Sequence, residues 1–130
     1  MTDERAMRTS PASPPCPLCE RIGRGDTTHA NRLAVVIRDA FPLSPGHSLV
    51  LSRRHVAGFF DLDADEQAAI LELVNAARGS LDEELCPDGY NVGVNVGAAG
   101  GQTIPHVHVH VIPRFQGDVP DPRGAHDHDQ

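Results

Sequence analysis

The chain has 130 residues, 39% hydrophobic and 22% charged, which suits one soluble globular domain with a single core. Its formal charge is −7, and its eleven basic residues, all Arg, are scattered rather than clustered, so a polynucleotide partner is excluded. No apolar run reaches the length of a membrane span and residues 1–15 lack the apolar stretch of a secretory signal, so no membrane partner and a cytoplasmic location are expected.

Residues 1–15 carry mixed charge, several prolines and no apolar period, the pattern of a flexible N-terminal tail. The domain is expected to span 16–115, with a turn-rich, acidic C-terminal tail over 116–130 that includes His126 and His128. Cys16-Pro17-Leu18-Cys19 has the spacing of a zinc half-site or of a redox dithiol. A dithiol motif expects a preceding strand, and a Ser/Pro-rich lead stands there instead, which favours metal. Cys86, beside Pro87, reads as a partly buried bystander.

Residues 21–32 look like loop, with at most a turn of helix. Leu33 to Asp39 is an apolar run of strand length, ended by Pro42, Pro45 and Gly46, and His47 to Leu51 is a second short strand antiparallel to it. Arg53, Arg54 and His55 follow in a loop. Asp63 is a helix N-cap with Glu66 three residues on, and Ala69, Ile70, Leu73, Val74 and Ala77 recur at helical spacing. Gly79 is placed to end that helix, with a further turn or two over 81–85. Tyr90 to Val96 alternates as a third strand, and the glycine-rich loop from Gly97 to Gly101 can bring backbone N–H groups close to an anion.

From His106 to Ile112 histidine and apolar residues alternate, the period of a strand. His106, His108 and His110 then share one face, with neighbouring imidazoles roughly 6 to 7 Å apart. From the residues alone this row is a catalytic wall, a structural zinc strand or a histidine-rich surface.

Taken with Gly100-Gly101-Gln102-Thr103 before it and Asp39 to His47 upstream, this run resembles the signature of the histidine-triad (HIT) family, over about Cys16 to Arg114. The resemblance implies an α+β fold, HIT-like, with an antiparallel sheet of about five strands and one main helix, assembled as a homodimer. It implies an enzyme, a nucleotide hydrolase that cleaves nucleoside phosphoramidates or dinucleoside polyphosphates at the α-phosphorus through a nucleotidyl-histidine intermediate. A zinc-stabilised nucleotide-binding module without turnover is the alternative. By the same resemblance His108 is the nucleophile, while His110 and His47 serve the phosphate and leaving group. Asp39 takes the ribose hydroxyls of a nucleotide of AMP or GMP type, Asn95 lies on the phosphate side, and Gly101, Gln102 and Thr103 line the leaving-group side. A structural zinc on Cys16, Cys19, His55 and His106 is implied, with no catalytic metal.

Overall fold

The computed structural model describes residues 15–121 and Arg123. Most of both expected tails, His126 and His128 included, lies outside the described residues. The ordered elements are α1 (Pro17–Gly23), β1 (His29–Ala30), β2 (Ala34–Arg38), β3 (Ser48–Ser52), α2 (Ala64–Leu85), β4 (Gly89–Val94) and β5 (His108–Arg114). The five strands form one antiparallel sheet in the order β1-β2-β3-β5-β4, so β5 is interior and β4 is an edge. This is the α+β architecture that the sequence predicts, with α2 as its main helix.

Strand alternation sorts the sheet into two faces. Ala34, Val36, Val50, Val109 and Val111 point toward α2, whose Ile70, Leu73, Ala77 and Leu81 complete the larger core. Val35, Ile37, Leu49 and Leu51 face the other way and pack with Leu18 of α1. In the β3–β5 register Leu49 stands opposite His110 and Leu51 opposite His108, so both histidines lie on this second face.

Four local expectations are corrected. A helix, α1, forms over the Cys16–Cys19 segment, for which no element was expected, and reaches into the start of the expected loop at residues 21–23, because Pro17 presets its first turn and the Cys16 sulfur caps it by accepting from the Cys19 N–H at 3.4 Å. β1 was missed; its two residues pair with Val35 and Val36. The helix does not end at Gly79 but runs on to Leu85, since Leu81 extends the buried stripe and tertiary packing outweighs one glycine. Cys86 is exposed, not partly buried, and caps α2 in the left-handed region at φ 48°.

β5 also begins two residues later than the alternation suggests, at His108, and extends through Pro113. Pro113 lies past the last β3 partner, Val111, so its missing N–H breaks no ladder bond on that side.

Gly46 sits at φ +84°, where a Cβ would come 2.7 Å from Leu85 and 2.8 Å from Leu81. Gly46→Ala combines a left-handed strain with overpacking and should cost roughly 2 to 4 kcal/mol in urea unfolding. Gly79→Ala, in open space mid-helix, should instead stabilise by about 0.5 to 1 kcal/mol.

Candidate functional site

Four donor atoms converge where α1, the loop after β3 and the start of β5 meet. Cys16 Sγ and Cys19 Sγ lie 3.6 and 3.5 Å from His106 Nδ1, and Cys19 Sγ lies 3.3 Å from His55 Nδ1. All four atoms fall within 4.8 Å of one another. Zinc bonds of about 2.3 Å to sulfur and 2.0 Å to nitrogen, at tetrahedral angles, put such pairs roughly 3.5 Å apart.

The His106 ring is set for this role by the backbone. Its Nε2–H donates to the Ser52 carbonyl at 2.7 Å, which leaves the Nδ1 lone pair facing the sulfurs. Burial lowers the His106 pKa to about 4, against the Ser52 hydrogen bond, so the ring is neutral. Burial, with the hydrogen bond and charge of Cys16 adding, pushes the Cys19 thiol up to about 11, so a metal must displace its proton.

His55 is held from outside the cluster. Its neighbour Arg54 makes a two-pronged ion pair with Glu66, at 2.9 and 2.7 Å, and Glu66 is only 1% exposed. Glu66 also accepts from the Asp63 N–H in the capping box. The sequence shows the cap but not that the same carboxylate anchors the metal-side loop.

The next imidazole along β5 is oriented the opposite way. His108 Nδ1 is 2.7 Å from the His106 carbonyl, and an acceptor there fixes the hydrogen on Nδ1. Nε2 therefore carries the lone pair, as a nucleophile requires. His110 packs beside it at a ring-centroid distance of 5.2 Å, and its Nδ1 lies 2.9 Å from His47 Nε2. His47 Nδ1 accepts the Leu43 N–H at 3.1 Å, and Asp39 Oδ2 stands 3.3 Å from His47 Nε2. Burial lowers the His47 pKa first, with Asp39 opposing and Arg114 adding, so that contact is not an ion pair at neutral pH.

Asp39, His47 and His110 also bring three donor atoms within 4.8 Å. They do not suit a metal: with Nδ1 accepting from Leu43, a neutral His47 carries its hydrogen on Nε2, which then has no lone pair to give. Of the two clusters, the Cys/His one fits an ion.

The remaining expected residues divide. Asn95 Nδ2 donates to the Gly100 carbonyl at 2.9 Å, and Gln102 both accepts from the Gly97 N–H at 2.9 Å and donates to the carbonyls of Ala57 and Ile104. Both side chains thus brace the glycine loop. Gly101 at φ +92° closes it, and Thr103 next to it is exposed. No period or motif in the sequence marks Phe41, which is 85% exposed beside Asp39 and whose N–H donates to Asp39 Oδ1 at 2.9 Å. Ser44 Oγ is buried in the same loop and makes no hydrogen bond among the described residues.

With this geometry in hand, the family whose sequence pattern matches residues 25–117 is that of the HIT domain. The chain is similar to the AP-4-A phosphorylase of Mycobacterium tuberculosis, at 36% identity over 89 residues, covering 68% of this chain and 46% of that protein. It is similar to the asymmetrical bis(5'-nucleosyl)-tetraphosphatase of Schizosaccharomyces pombe at 32% over 90 residues, covering 69% and 50%. The chain thus spans about half the length of these two curated relatives. A Zn-bound histidine triad family protein from Mycobacterium smegmatis superposes with a TM-score of 0.71 at 29% identity, covering 85% of this chain and 86% of that one.

Acid should weaken the metal-free fold in a defined window. His106 goes from 6.5 in the unfolded chain to about 4 in the fold, so between those values only the unfolded chain takes up the proton. Stability is full above the unfolded value and falls as pH drops, by about 2 kcal/mol between pH 7 and pH 5. His47, shifted in the same direction, adds to the slope. Urea unfolding in EDTA at several pH values checks this, and a flat profile would contradict it.

Proposed function

The chain belongs to the HIT domain family, and from that premise we propose that it hydrolyses nucleotide substrates at the α-phosphorus through a nucleotidyl-His108 intermediate. The observation that carries this is the 2.7 Å contact from His108 Nδ1 to the His106 carbonyl, which keeps a hydrogen on Nδ1 and leaves Nε2 as the nitrogen that can offer a lone pair. Attack forms a bond from Nε2 to phosphorus and expels the leaving group with the bonding pair. The phosphorylated ring, hydrogen still on Nδ1, is cationic and itself a good leaving group. Water then displaces it, the pair returns to Nε2, and the proton of water passes to solvent.

The relatives' names bring dinucleoside polyphosphates into consideration, and a nucleoside phosphoramidate presents the same phosphorus. In this assignment His110 contacts the phosphate and leaving-group oxygens, with His47 behind it, its two nitrogens engaged by Leu43 and His110, and Gly101 and Thr103 border the leaving-group side. Asn95 and Gln102 act indirectly, by holding that loop. Asp39 takes the ribose hydroxyls, while Phe41 offers a face on which a base of AMP or GMP type can stack.

Zinc on Cys16, Cys19, His55 and His106 has a structural part, tying α1 and the loop after β3 to the residue that orients His108. When bound it supplies cross-linking rather than a reaction step, because His108 is not among its ligands. The free thiols this needs suit the cytoplasm. No helix among the described residues is long and apolar enough to cross a membrane. For assembly we assign a homodimer through β4, whose edge is open and whose Val92, 55% exposed, stands near the 62% exposed Leu71 over a groove with Phe59 and Val74.

Three measurements test this. Diadenosine polyphosphate or adenylate phosphoramidate should be turned over in the presence of EDTA, and His108→Ala should lower the rate roughly 10³-fold or more, with rapid-quench mass analysis placing the nucleotidyl group on His108. Nucleotide binding without any turnover would make the protein a binding module. Elemental analysis should find one zinc per chain, lost together with several kcal/mol of stability in Cys16→Ser. Val92→Arg should move the sedimentation mass from dimer to monomer.

A further inference from the structure

The link between His47 and His110 has a direction, and the backbone sets it. A peptide N–H can only donate, so the Leu43 N–H at 3.1 Å obliges His47 Nδ1 to be an acceptor. A neutral His47 then has its hydrogen on Nε2, the atom 2.9 Å from His110 Nδ1. His110 Nδ1 must accept in turn, which leaves the hydrogen of a neutral His110 on Nε2. Adding a proton to His110 at Nδ1 would set two N–H groups head to head, and adding one to His47 at Nδ1 would set it against Leu43.

We propose that His47 is a positioning residue that holds His110 neutral with its hydrogen on Nε2, so that His110 donates a hydrogen bond without surrendering a proton and the site favours phosphoanhydrides over alkyl phosphoramidates.

The surroundings agree. His47 and His110 are both buried, at 1% exposure, where a charged imidazole is costly. Among the described residues, the charged and titratable groups that face the pair are Asp39 from the end of β2, and Arg114 and His108 from β5. Of these, Asp39 favours a charge on His47, and burial, with Arg114 acting in the same direction, outweighs it.

The chemical consequence rests on the proposed nucleotidyl transfer. When His108 attacks an anhydride, the P–O pair stays on the leaving phosphate oxygen, which departs as an anion hydrogen-bonded to His110 Nε2–H. No proton needs to cross. When the leaving group is an alkylamine, the P–N pair would stay on a strongly basic nitrogen, which needs a proton that a neutral imidazole fixed in this chain does not release. His110 then acts as an electrophile and not as a general acid.

Nitrogen-15 NMR of histidine-labelled protein, free and with AMP, reads the tautomers directly. Both rings are expected as neutral Nε2–H forms from pH 6 to pH 8, and an imidazolium or an Nδ1–H form at His110 in that range overturns the proposal. In His47→Ala the His110 ring should titrate, its constraint gone. In parallel, adenylate esters of graded leaving-group acidity should show rates rising steeply, with anhydrides roughly 10²-fold or more ahead of alkylamine phosphoramidates. Equal rates across the series overturn it as well. Should no substrate turn over at all, the hydrolase assignment fails, while the nitrogen spectra still decide the tautomer.

Discussion

A neutral imidazole has a single hydrogen, and in this protein the main chain decides where three of them go. Ser52 C=O accepts from His106, His106 C=O accepts from His108, and Leu43 N–H donates to His47. Each contact turns a symmetric-looking ring into a donor at one nitrogen and a lone pair at the other. Without these constraints the same histidines on the same face would be a mixture of tautomers, some of which could neither hold a metal nor attack phosphorus.

His106 is where two halves of the structure join. Its ring belongs to the sulfur cluster and its carbonyl orients His108, so whatever steadies the cluster also steadies the proposed nucleophile. The support continues outward through Arg54 to Glu66, which is buried at the first turn of α2 and already engaged in the helix cap. The principal helix, packed against the far face of the sheet, thereby reaches the functional face by way of one ion pair. A buried carboxylate of this kind contributes more through geometry than through net energy, because the desolvation of both charges offsets much of their attraction.

Much of this was legible in the sequence wherever periodicity carried it. Alternation from His106 to Ile112 separated histidines from valines correctly, and the stripe from Ile70 to Ala77 located the helix. Alternation does not say where a ladder starts, however. His106 keeps its place on the histidine face although it precedes β5, held there by a turn in which its N–H reaches the Ile104 carbonyl at 2.8 Å. Short elements stabilised by one tertiary partner left no period to read: β1 is two residues long, and α1 depends on a proline and a sulfur cap. Nor could residue type reveal which polar groups face inward to the chain's own backbone. The resemblance places Gln102 and Asn95 beside a ligand, and the structure adds that their amides brace the glycine loop, while Leu43, an apolar residue, contributes its N–H.

The Gln102 amide bears on how quickly a ligand can be accommodated. Glycine-rich segments commonly exchange among many shapes, and freezing them on association erodes affinity and slows capture. Here one carboxamide ties Gly97, Ala57 and Ile104 together, and the Gln102 N–H adds a bond to the Gly97 carbonyl at 3.0 Å. The loop is therefore braced by its own side chains, and a nucleotide held there as proposed would spend little of its binding energy on ordering it, leaving encounter rather than rearrangement to set the rate of uptake.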